Sequence, residues 1–334
     1  MDTIEIGGSG MLASRIALGT WAIGGWMWGG TDIYDALRTI HAAIDRGITM
    51  IDTAPVYGFG RAEQIVGRAL RAGGRRDRVL IATKCGLSWR GNGVFRNASS
   101  SRIEQEVEES LRRLHTDRID LYQVHWPDPL VPIEETAGAM SRLLKQGKIR
   151  AIGVSNFSPA QMETFRQVAP LHATQPPYNL FERAIDADVL PYARKTGVVV
   201  LAYGALCRGL LSGRISAAPQ FSGDDLRRTD PKFQQPRLAQ YLAAVAELDR
   251  FARVNYRKSI LALAIRWVLD QGPTIALWGA RRPDQLNAVD EVAGWSLDAA
   301  ALREIDAILA RNIANPVGPE FMAPPAASEP RAVA

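Results

Sequence analysis

Residues 48–60 read ITMIDTAPVYGFG, an apolar run that ends in Asp52 and leads into a turn carrying Tyr57. A short run rich in Ile, Val and Leu, without strict alternation of apolar and polar residues, is typical of a strand buried on both faces of a parallel sheet. The turn after it contains Pro, Gly and Phe. The stretch therefore predicts a buried strand with an acid at its carboxyl end and a phenol held just beyond it.

Runs of the same kind recur along the chain and alternate with segments of helical periodicity. The predicted strands are RIALGT (15–20), ITMIDTA (48–54), RVLIATK (78–84), IDLYQVH (119–125), IRAIGVSN (149–156), LHATQ (171–175), VVVLAY (198–203) and TIALWG (274–279). Helices are predicted over 35–47, over 101–115 with a Ser cap, and over 132–147. Eight strands alternating with helices predict an α/β fold of the (β/α)₈ TIM-barrel type, because a doubly wound sheet more often has five or six strands.

Three segments fall outside the alternation. Residues 2–15 predict a β-hairpin ahead of the first barrel strand, and residues 204–236 predict a long loop after the seventh. The Pro- and Ala-rich residues 311–334 are expected to lack regular structure. We expect a single barrel domain over 1–316 and a tail over 317–334 that lies over or near the barrel mouth.

Composition excludes several classes of protein. The chain has 334 residues, 47% hydrophobic and 22% charged, which is ordinary for a soluble globular protein. No apolar run approaches the roughly 20 residues that span a bilayer, and no secretion signal is visible. Cys85 and Cys207 are the only cysteines, which excludes a disulfide framework and predicts a cytoplasmic protein. The four histidines lack metal-ligand spacing, so we expect no metal.

The formal charge of +5 and the pI of about 9.3 allow three interpretations. Lys and Arg are dispersed, including Arg71, Arg75, Arg76 and Arg78 after one helix, so a nucleic-acid partner is disfavoured against a solvated surface. A polyanionic small ligand is the third interpretation. The strand ends favour it, and they indicate neither a nucleic-acid nor a membrane partner.

Polar residues follow most of the apolar runs, and in this type of barrel the chemistry gathers at the carboxyl ends of the strands. In chain order these ends are Thr20 with Trp21, Asp52, Lys84, His125, Ser155 with Asn156, Gln175, Tyr203, and Gly279 with Ala280. Asp52 and Lys84 end consecutive strands and can therefore pair across the mouth. Tyr57 can fold back over that pair, and His125 ends the next strand.

These four groups fit proton donation to a carbonyl. A free Tyr has a pKa near 10, so at neutral pH it is about 3 units, or roughly 4 kcal/mol, short of an easy donor. An ammonium about 4 Å away is worth roughly 4 kcal/mol at an effective dielectric constant of 20. We therefore expect Lys84 to lower the pKa of Tyr57, although Asp52, which aims Lys84, offsets part of its field. A neutral His125 can orient and polarise the carbonyl.

The sequence resembles the aldo-keto reductase superfamily over about residues 11–323. The matching blocks are GITMIDTAPVYGFGRAEQIVGRAL, LIATKCG, IDLYQVHWPD, KIRAIGVSNFS, TQPPYNLFER and LAYGALCRGLLSG. GTWAIGGWMWGGTD, HWPDPLVPIEETA and WGARRPDQL are similar to the bacterial branch of glyceraldehyde reductases and general-stress-protein NADPH-dependent oxidoreductases. The resemblance implies reversible reduction of small aldehydes or ketones with NADPH. It also implies a catalytic tetrad of Asp52, Tyr57, Lys84 and His125, with Tyr57 as general acid.

The same resemblance implies the cofactor contacts. Ser155, Asn156 and Gln175 would hold the nicotinamide carboxamide, and Tyr203 would stack on the ring. The pyrophosphate cover would comprise Gly204, Ala205, Leu206, Cys207, Arg208, Arg214 and Arg227. Gly279, Ala280, Arg281 and Gln285 would bind the adenosine end, with Arg281 facing the 2′-phosphate. Thr20, Trp21 and Asp52 complete the set. Where close relatives usually have GLLTGK, this chain has GLLSGR, which puts the grip of Arg214 in question.

Two further patterns have competing interpretations. Tryptophans on loops after strands predict an aromatic substrate pocket of Trp26, Trp28, Trp89 and Trp126, although one or two could be ordinary packing. GSGMLA at 8–13 matches a dinucleotide fingerprint, but SRIALGT after it reads as a strand, so a hairpin turn is favoured. The resemblance also leaves an alternative to the enzyme, an NADPH-binding regulatory module of the channel accessory-subunit type. The physiological substrate and the oligomeric state stay open.

Overall fold

The computed structural model describes residues 1–71 and 73–327. The described strands are β1 (Thr3–Glu5), β2 (Leu12–Ser14), β3 (Ile16–Gly19), β4 (Met50–Asp52), β5 (Leu80–Cys85), β6 (Leu87–Arg90), β7 (Gly93–Arg96), β8 (Ile119–Val124), β9 (Ile149–Ser155), β10 (Ala173–Gln175), β11 (Val199–Ala202) and β12 (Thr274–Gly279). The described α-helices are α1 (Trp21–Gly24), α2 (Ile33–Asp45), α3 (Arg61–Leu70), α4 (Ser100–Leu114), α5 (Ile133–Lys145), α6 (Pro159–Arg166), α7 (Val189–Thr196), α8 (Arg237–Tyr256), α9 (Ile260–Asp270) and α10 (Ala299–Asn312).

Eight parallel strands close into a barrel in the order β10-β11-β12-β3-β4-β5-β8-β9. They are the eight strands that the apolar runs predict, shortened at most by a few residues at an end, so the predicted (β/α)₈ barrel is confirmed. The antiparallel pair β1–β2 is the predicted N-terminal hairpin, and the long segment between β11 and α8 is the predicted loop after the seventh barrel strand.

The barrel interior is filled with apolar side chains below a polar upper layer. Ala17, Met50, Leu121, Leu201 and Ile275 are among the buried residues of this inner cluster. The hairpin seals the amino-terminal end of the barrel with Ile6, Met11 and Ala13, which belong to the same cluster. The packed interior therefore leaves chemistry to the opposite end, where the strands finish.

Helix α4 shows how local chemistry shifts a predicted boundary. Ile103, Val107 and Leu114 of the predicted apolar face are buried. The helix begins at Ser100, however, and Ser99 stands at the cap position without a side-chain cap bond. Its hydroxyl donates instead to Asn97 Oδ1 at 2.8 Å. The predicted Ser cap at 101 is therefore wrong. The helix begins one residue before Ser101, and the residue at its cap position, Ser99, is bonded to Asn97 instead.

The tail is more regular than its composition predicts. Helix α10 continues to Asn312, and Glu320–Met322 forms a turn of 3₁₀ helix. Ala326 pairs with Arg96 of β7 in a short parallel bridge. The expectation of no regular structure over 311–334 is therefore wrong for these parts, and residues 328–334 lie outside the described residues. The domain boundary at 316 stays a prediction.

Candidate active site

The barrel register brings Asp52 and Lys84 together. Asp52 pairs with Ala82 of β5, and Lys84 lies two residues further along the same strand. Because side chains alternate along a strand, Lys84 faces the same side as Ala82, towards the barrel axis. Lys84 Nζ lies 2.6 Å from Asp52 Oδ1, and the two side chains are 0% and 3% exposed. The two strand ends thus form a buried ion pair below the mouth.

Tyr57 closes over this pair. Lys84 Nζ donates to the Tyr57 hydroxyl at 3.2 Å and to the Thr53 carbonyl at 3.0 Å. The loop holding Tyr57 packs so closely on α1 that a Cβ atom at Gly24 would lie 2.6 Å from the Tyr57 carbonyl carbon. On the other side, the His125 ring meets the Tyr57 ring edge-on, with centroids 5.8 Å apart. The four predicted catalytic side chains therefore share one small volume.

The protonation states differ in part from expectation. Burial, and then the Asp52 carboxylate, raise the pKa of Tyr57 well above its ordinary value. The expectation that Lys84 lowers the pKa of Tyr57 is therefore wrong for the resting site, because burial of the phenol, and then the nearby Asp52 carboxylate, shift that pKa in the opposite direction. Burial, and then the charge of Lys84, lower the pKa of His125 well below its ordinary value. At neutral pH, Tyr57 therefore carries its proton and His125 is neutral.

A second layer of amides holds the other oxygen of Asp52. Gln175 Nε2 donates to Asp52 Oδ2 at 2.8 Å, and Gln123 Nε2 donates to it at 3.2 Å. Gln175 Nε2 also donates to Gln123 Oε1 at 3.1 Å. Gln123 was absent from the predicted site, although an amide inside the apolar run IDLYQVH was a visible signal. These bonds fix Asp52 so that it aims Lys84.

The residues predicted to hold a carboxamide are linked to one another by hydrogen bonds, and one of them, Asn156, is bonded to His125. Ser155 Oγ donates to the Gln175 carbonyl at 2.6 Å, and Asn156 Nδ2 donates to the His125 carbonyl at 3.0 Å. Asn156 Oδ1 accepts from the Tyr203 hydroxyl at 3.0 Å. Tyr203, which follows β11, is therefore tied across β10 to the end of β9. The assignment of these three residues to a nicotinamide carboxamide stays a prediction. The Gln175 amide nitrogen is already hydrogen-bonded to Asp52.

A cavity of about 360 Å³ opens beside Tyr57. Most of the predicted cofactor residues line it. They are Thr20, Trp21, Asp52, Tyr203, Gly204, Ala205, Leu206, Arg208, Arg214, Arg227, Gly279, Ala280, Arg281 and Gln285. Ser155, Asn156, Gln175 and Cys207 are outside its lining, and Cys207 is fully buried in the hydrophobic core. Residues that sequence reasoning missed also line it, among them Ser212, Ile215, Arg282 and Met322.

The far part of the cavity is rich in guanidinium groups. Arg281 Nη1 donates to the carbonyls of Trp28 and Gly30, at 2.8 and 3.0 Å. Burial, and then the charges of Arg227 and Arg282, lower the pKa of Arg281. A cation destabilised by neighbouring cations favours an anionic ligand. Gln285 Oε1 accepts from the Arg281 backbone N–H at 2.8 Å, which holds that residue in place.

Arg208 and Arg214 do not match their predicted roles equally well. Arg208 is buried, and it pairs with Glu182 and Asp230, each at 2.5 Å. Those carboxylates neutralise the guanidinium and anchor the loop after β11, and the role of Arg208 over the pyrophosphate stays a prediction. The side chain of Arg214 is 60% exposed and lies 3.4 Å from Asp284. It borders the cavity from the solvent side.

The cavity fits a nicotinamide dinucleotide on two structural grounds. Trp21 and Trp28 both line it, and their indole N–H groups are buried and have no hydrogen-bond partner among the described residues. Buried donors are normally satisfied, so these two call for acceptors on a ligand. A carbon placed at Gly279 would meet nothing within 4 Å, which leaves room for close approach to its backbone. Phosphate and ribose oxygens supply the acceptors that this lining lacks.

An aromatic wall stands on the other side of Tyr57. Trp26, Trp89 and Trp126 pack with Tyr57 around Ala54, Val56 and Leu87. Phe59 connects two of them, with ring centroids 4.9 Å from Trp26 and 5.6 Å from Trp89. Trp28 is placed differently from these predicted substrate residues. It meets Trp21 edge-on and lies under Arg227, so it belongs to the guanidinium side of the cavity.

The described residues contain neither a membrane-spanning helix nor a cluster suited to a metal ion. Within residues 1–71 and 73–327, no helix is both long enough and apolar enough to cross a bilayer. Over the same residues, no cluster of three or more His, Cys, Asp or Glu side chains could hold a metal ion.

Comparison with known proteins supports the same assignment. The sequence profile of the Aldo/keto reductase family matches residues 15–310. The chain is 59% identical over 330 residues to the aldo-keto reductase YhdN of Bacillus subtilis (strain 168), covering 98% of this chain and 100% of the relative. It is 35% identical over 330 residues to the NADH-specific methylglyoxal reductase of Escherichia coli (strain K12), covering 94% and 98%.

A solved structure agrees. The glycerol dehydrogenase from Gluconobacter oxydans superposes with a TM-score of 0.88 at 56% identity, covering 96% of this chain and 99% of that one. The predicted resemblance is thereby confirmed. This chain belongs to the aldo/keto reductase family, whose members are oxidoreductases that bind a nicotinamide cofactor and act on small carbonyl or polyol substrates.

Proposed function

We propose that this protein reversibly reduces small aldehydes or ketones to alcohols with NADPH, and that Tyr57 provides the proton. One observation carries the proposal. The Tyr57 hydroxyl lies 3.2 Å from Lys84 Nζ, which Asp52 holds at 2.6 Å, beside a cavity suited to a dinucleotide. A phenol, an ammonium, a carboxylate and a neutral imidazole around one point suit proton transfer to a carbonyl oxygen.

Each side chain has a distinct role in this chemistry. Tyr57 keeps its proton in the resting state and releases it to the carbonyl oxygen as negative charge develops there. Lys84 stabilises the phenolate that remains, and Asp52 keeps Lys84 charged and aimed. His125, being neutral, donates a hydrogen bond that orients the carbonyl. The bound cofactor would supply the hydride to the carbonyl carbon, which with the proton from Tyr57 completes the alcohol.

The preference for NADPH rests on the guanidinium side of the cavity. Arg227 is neutralised by Asp225, at 2.6 Å, but Arg281 has only backbone carbonyls as partners in the described residues. An unpaired guanidinium suits a 2′-phosphate, which NADH lacks. The NADH-specific relative makes this preference a point to be measured.

The substrate side supports small, uncharged carbonyl compounds, glyceraldehyde among them. Its wall is built from indole and phenyl rings, and the charged group beside it, Arg96, lies over the Trp126 ring. One relative is a methylglyoxal reductase and another a glycerol dehydrogenase, whose named substrates are both small. We infer a cytoplasmic enzyme because Cys85 and Cys207 are both free and buried.

The direct test is cofactor absorbance with a panel of aldehydes and polyols, using NADPH and NADH in turn. We expect oxidation of NADPH with small aldehydes and its formation from NADP⁺ with the corresponding alcohols. Tyr57→Phe is the matched control, since it keeps the ring and removes the proton. Tight NADPH binding with turnover no greater than in Tyr57→Phe would favour the regulatory module instead.

A further inference from the structure

Arg96 of the β6–β7 hairpin is hydrogen-bonded to the C-terminal segment, residues 317–327. Arg96 Nε donates to the Pro324 carbonyl at 2.8 Å, and its backbone N–H donates to the Pro325 carbonyl at 2.9 Å. Its Nη1 donates to the Pro127 carbonyl at 2.9 Å, on the loop after β8. One planar guanidinium, with its backbone, thus joins three segments that are remote in sequence.

The same side chain touches the aromatic wall. The Arg96 guanidinium lies 5.2 Å from the centroid of the Trp126 ring, and Trp126 packs in one cluster with Tyr57. Arg96 is partly buried, and no carboxylate pairs with it within the described residues. Its donors are therefore committed to main-chain carbonyls. Because a guanidinium presents several donors in a fixed plane, it can hold two strands of main chain in one geometry.

The C-terminal segment has a second anchor upstream. Lys232 Nζ donates to the Gly318 carbonyl at 3.1 Å, and the Val317 N–H donates to the Tyr241 hydroxyl at 3.3 Å. Met322 lies between the two anchors and lines the cavity beside Tyr57. The position of Met322 is therefore set by how firmly the segment is held at both ends.

We propose that Arg96 is a positioning residue that clasps residues 320–326 against the β6–β7 hairpin and so fixes one wall of the substrate side. The proposal rests on the proposed function for its kinetic consequences. Its structural part stands apart from turnover. Without the clasp, Trp126 in the aromatic wall loses a support, and a carbonyl substrate is held less closely against Tyr57.

Hydrogen exchange tests the clasp directly on the full chain. In Arg96→Ala we expect the amides of a peptide covering residues 317–327 to exchange at least about tenfold faster than in the wild type, since the side-chain bond to the Pro324 carbonyl is lost and the backbone bond to Pro325 is left without its support. Arg90→Ala is the matched control, because Arg90 lies on the same hairpin, is exposed and lies over the Phe95 ring. Wild-type exchange of that peptide in Arg96→Ala would overturn the proposal.

Kinetics test the consequence. For Arg96→Ala we expect the KM for a small aldehyde such as glyceraldehyde to rise about tenfold, with kcat within about twofold of wild type. Removal of residues 324–334 should raise the KM in the same direction, and Arg96→Ala should raise it less in the shortened chain than in the full chain, because both changes release the same segment. Additive effects, or an equal KM in Arg90→Ala, would contradict the clasp. If the wild type reduces no carbonyl, the proposed function fails, and exchange still decides the clasp.

Discussion

Two buried clusters of charge lie near the barrel mouth, and only one of them is arranged for chemistry. The proposed catalytic pair is Asp52 with Lys84, and the loop cluster is Glu182, Arg208, Asp230 and Lys232. All six side chains are at most 3% exposed. Burial of charge is costly in both places unless partners compensate for it. Burial alone therefore does not distinguish a reactive site from a structural one.

The difference lies in where the donors point. Lys84 Nζ donates to Asp52 and to the Thr53 carbonyl, and its third donor reaches the Tyr57 hydroxyl at the edge of the cavity. The loop cluster pairs two cations with two carboxylates, and the further partner of Lys232 Nζ is the Gly318 main-chain carbonyl, which does not titrate. There burial raises the pKa of Glu182, but the charges of Arg208 and Lys232 outweigh it and hold that pKa below its ordinary value. A buried charge is thus reactive where one donor is directed at a titratable group beside open space.

The largest expected effect breaks the catalytic pair. Lys84→Met removes the ammonium that stabilises the Tyr57 phenolate, so we expect turnover to fall by about 10²-fold or more. NADPH binding should persist, since the guanidinium side of the cavity is untouched. Single-turnover kinetics and a fluorescence titration measure the two quantities. Near-normal turnover would remove Lys84 from proton transfer.

A comparable change in the loop cluster should cost stability first. Glu182→Gln leaves Arg208 and Lys232 short of a buried negative charge, so we expect the free energy of unfolding to fall by about 3–5 kcal/mol. Urea denaturation measures it. Glu104→Gln is the matched control, because its pair with Arg142 is about half exposed and should be worth at most about 1 kcal/mol. Equal losses in the two variants would deny the loop cluster its structural role.

A smaller effect concerns the cofactor. Arg281→Ala should weaken NADPH binding by about 1.5–3 kcal/mol, the value of a hydrogen bond to a charged group, and leave NADH nearly unchanged. Titration with each cofactor measures the difference. Equal weakening of both would assign Arg281 to packing against the Trp28 and Gly30 carbonyls.

The smallest effect is expected at Arg214. Its side chain is mostly exposed and shares a long contact with Asp284, so Arg214→Ala should change NADPH affinity by less than about 1 kcal/mol. The same titration, repeated at low and high salt, measures it. A loss as large as that of Arg281→Ala would show that Arg214, on the loop after β11, binds the cofactor from the solvent side.

The catalytic pair was predictable from sequence because each member directly ends an apolar strand run. Strand ends in a parallel barrel meet at one mouth, so sequence position alone implies proximity. Glu182 and Asp230 lie in loops and Arg208 and Lys232 in short 3₁₀ turns, where no long period relates sequence spacing to distance. Their pairing therefore required coordinates.

Electrostatics were less predictable than placement. The expected lowering of the pKa of Tyr57 used one charge at one distance, which a sequence can suggest. Burial of the phenol and the nearness of Asp52 outweigh that charge in the resting site, and neither quantity can be deduced from spacing. Gln123 is the opposite case. An amide inside an apolar run is visible in the sequence, so this residue could have been included in the predicted site.

The contact between α1 and the Tyr57 loop has a consequence for homologous proteins. Even a methyl group at position 24 would displace the main chain that carries the phenol. A homologue that keeps all four reactive residues but has alanine there should hold its tyrosine out of reach and be a poor reductase. Glycine at this position therefore indicates whether a homologue can place its tyrosine as this chain does.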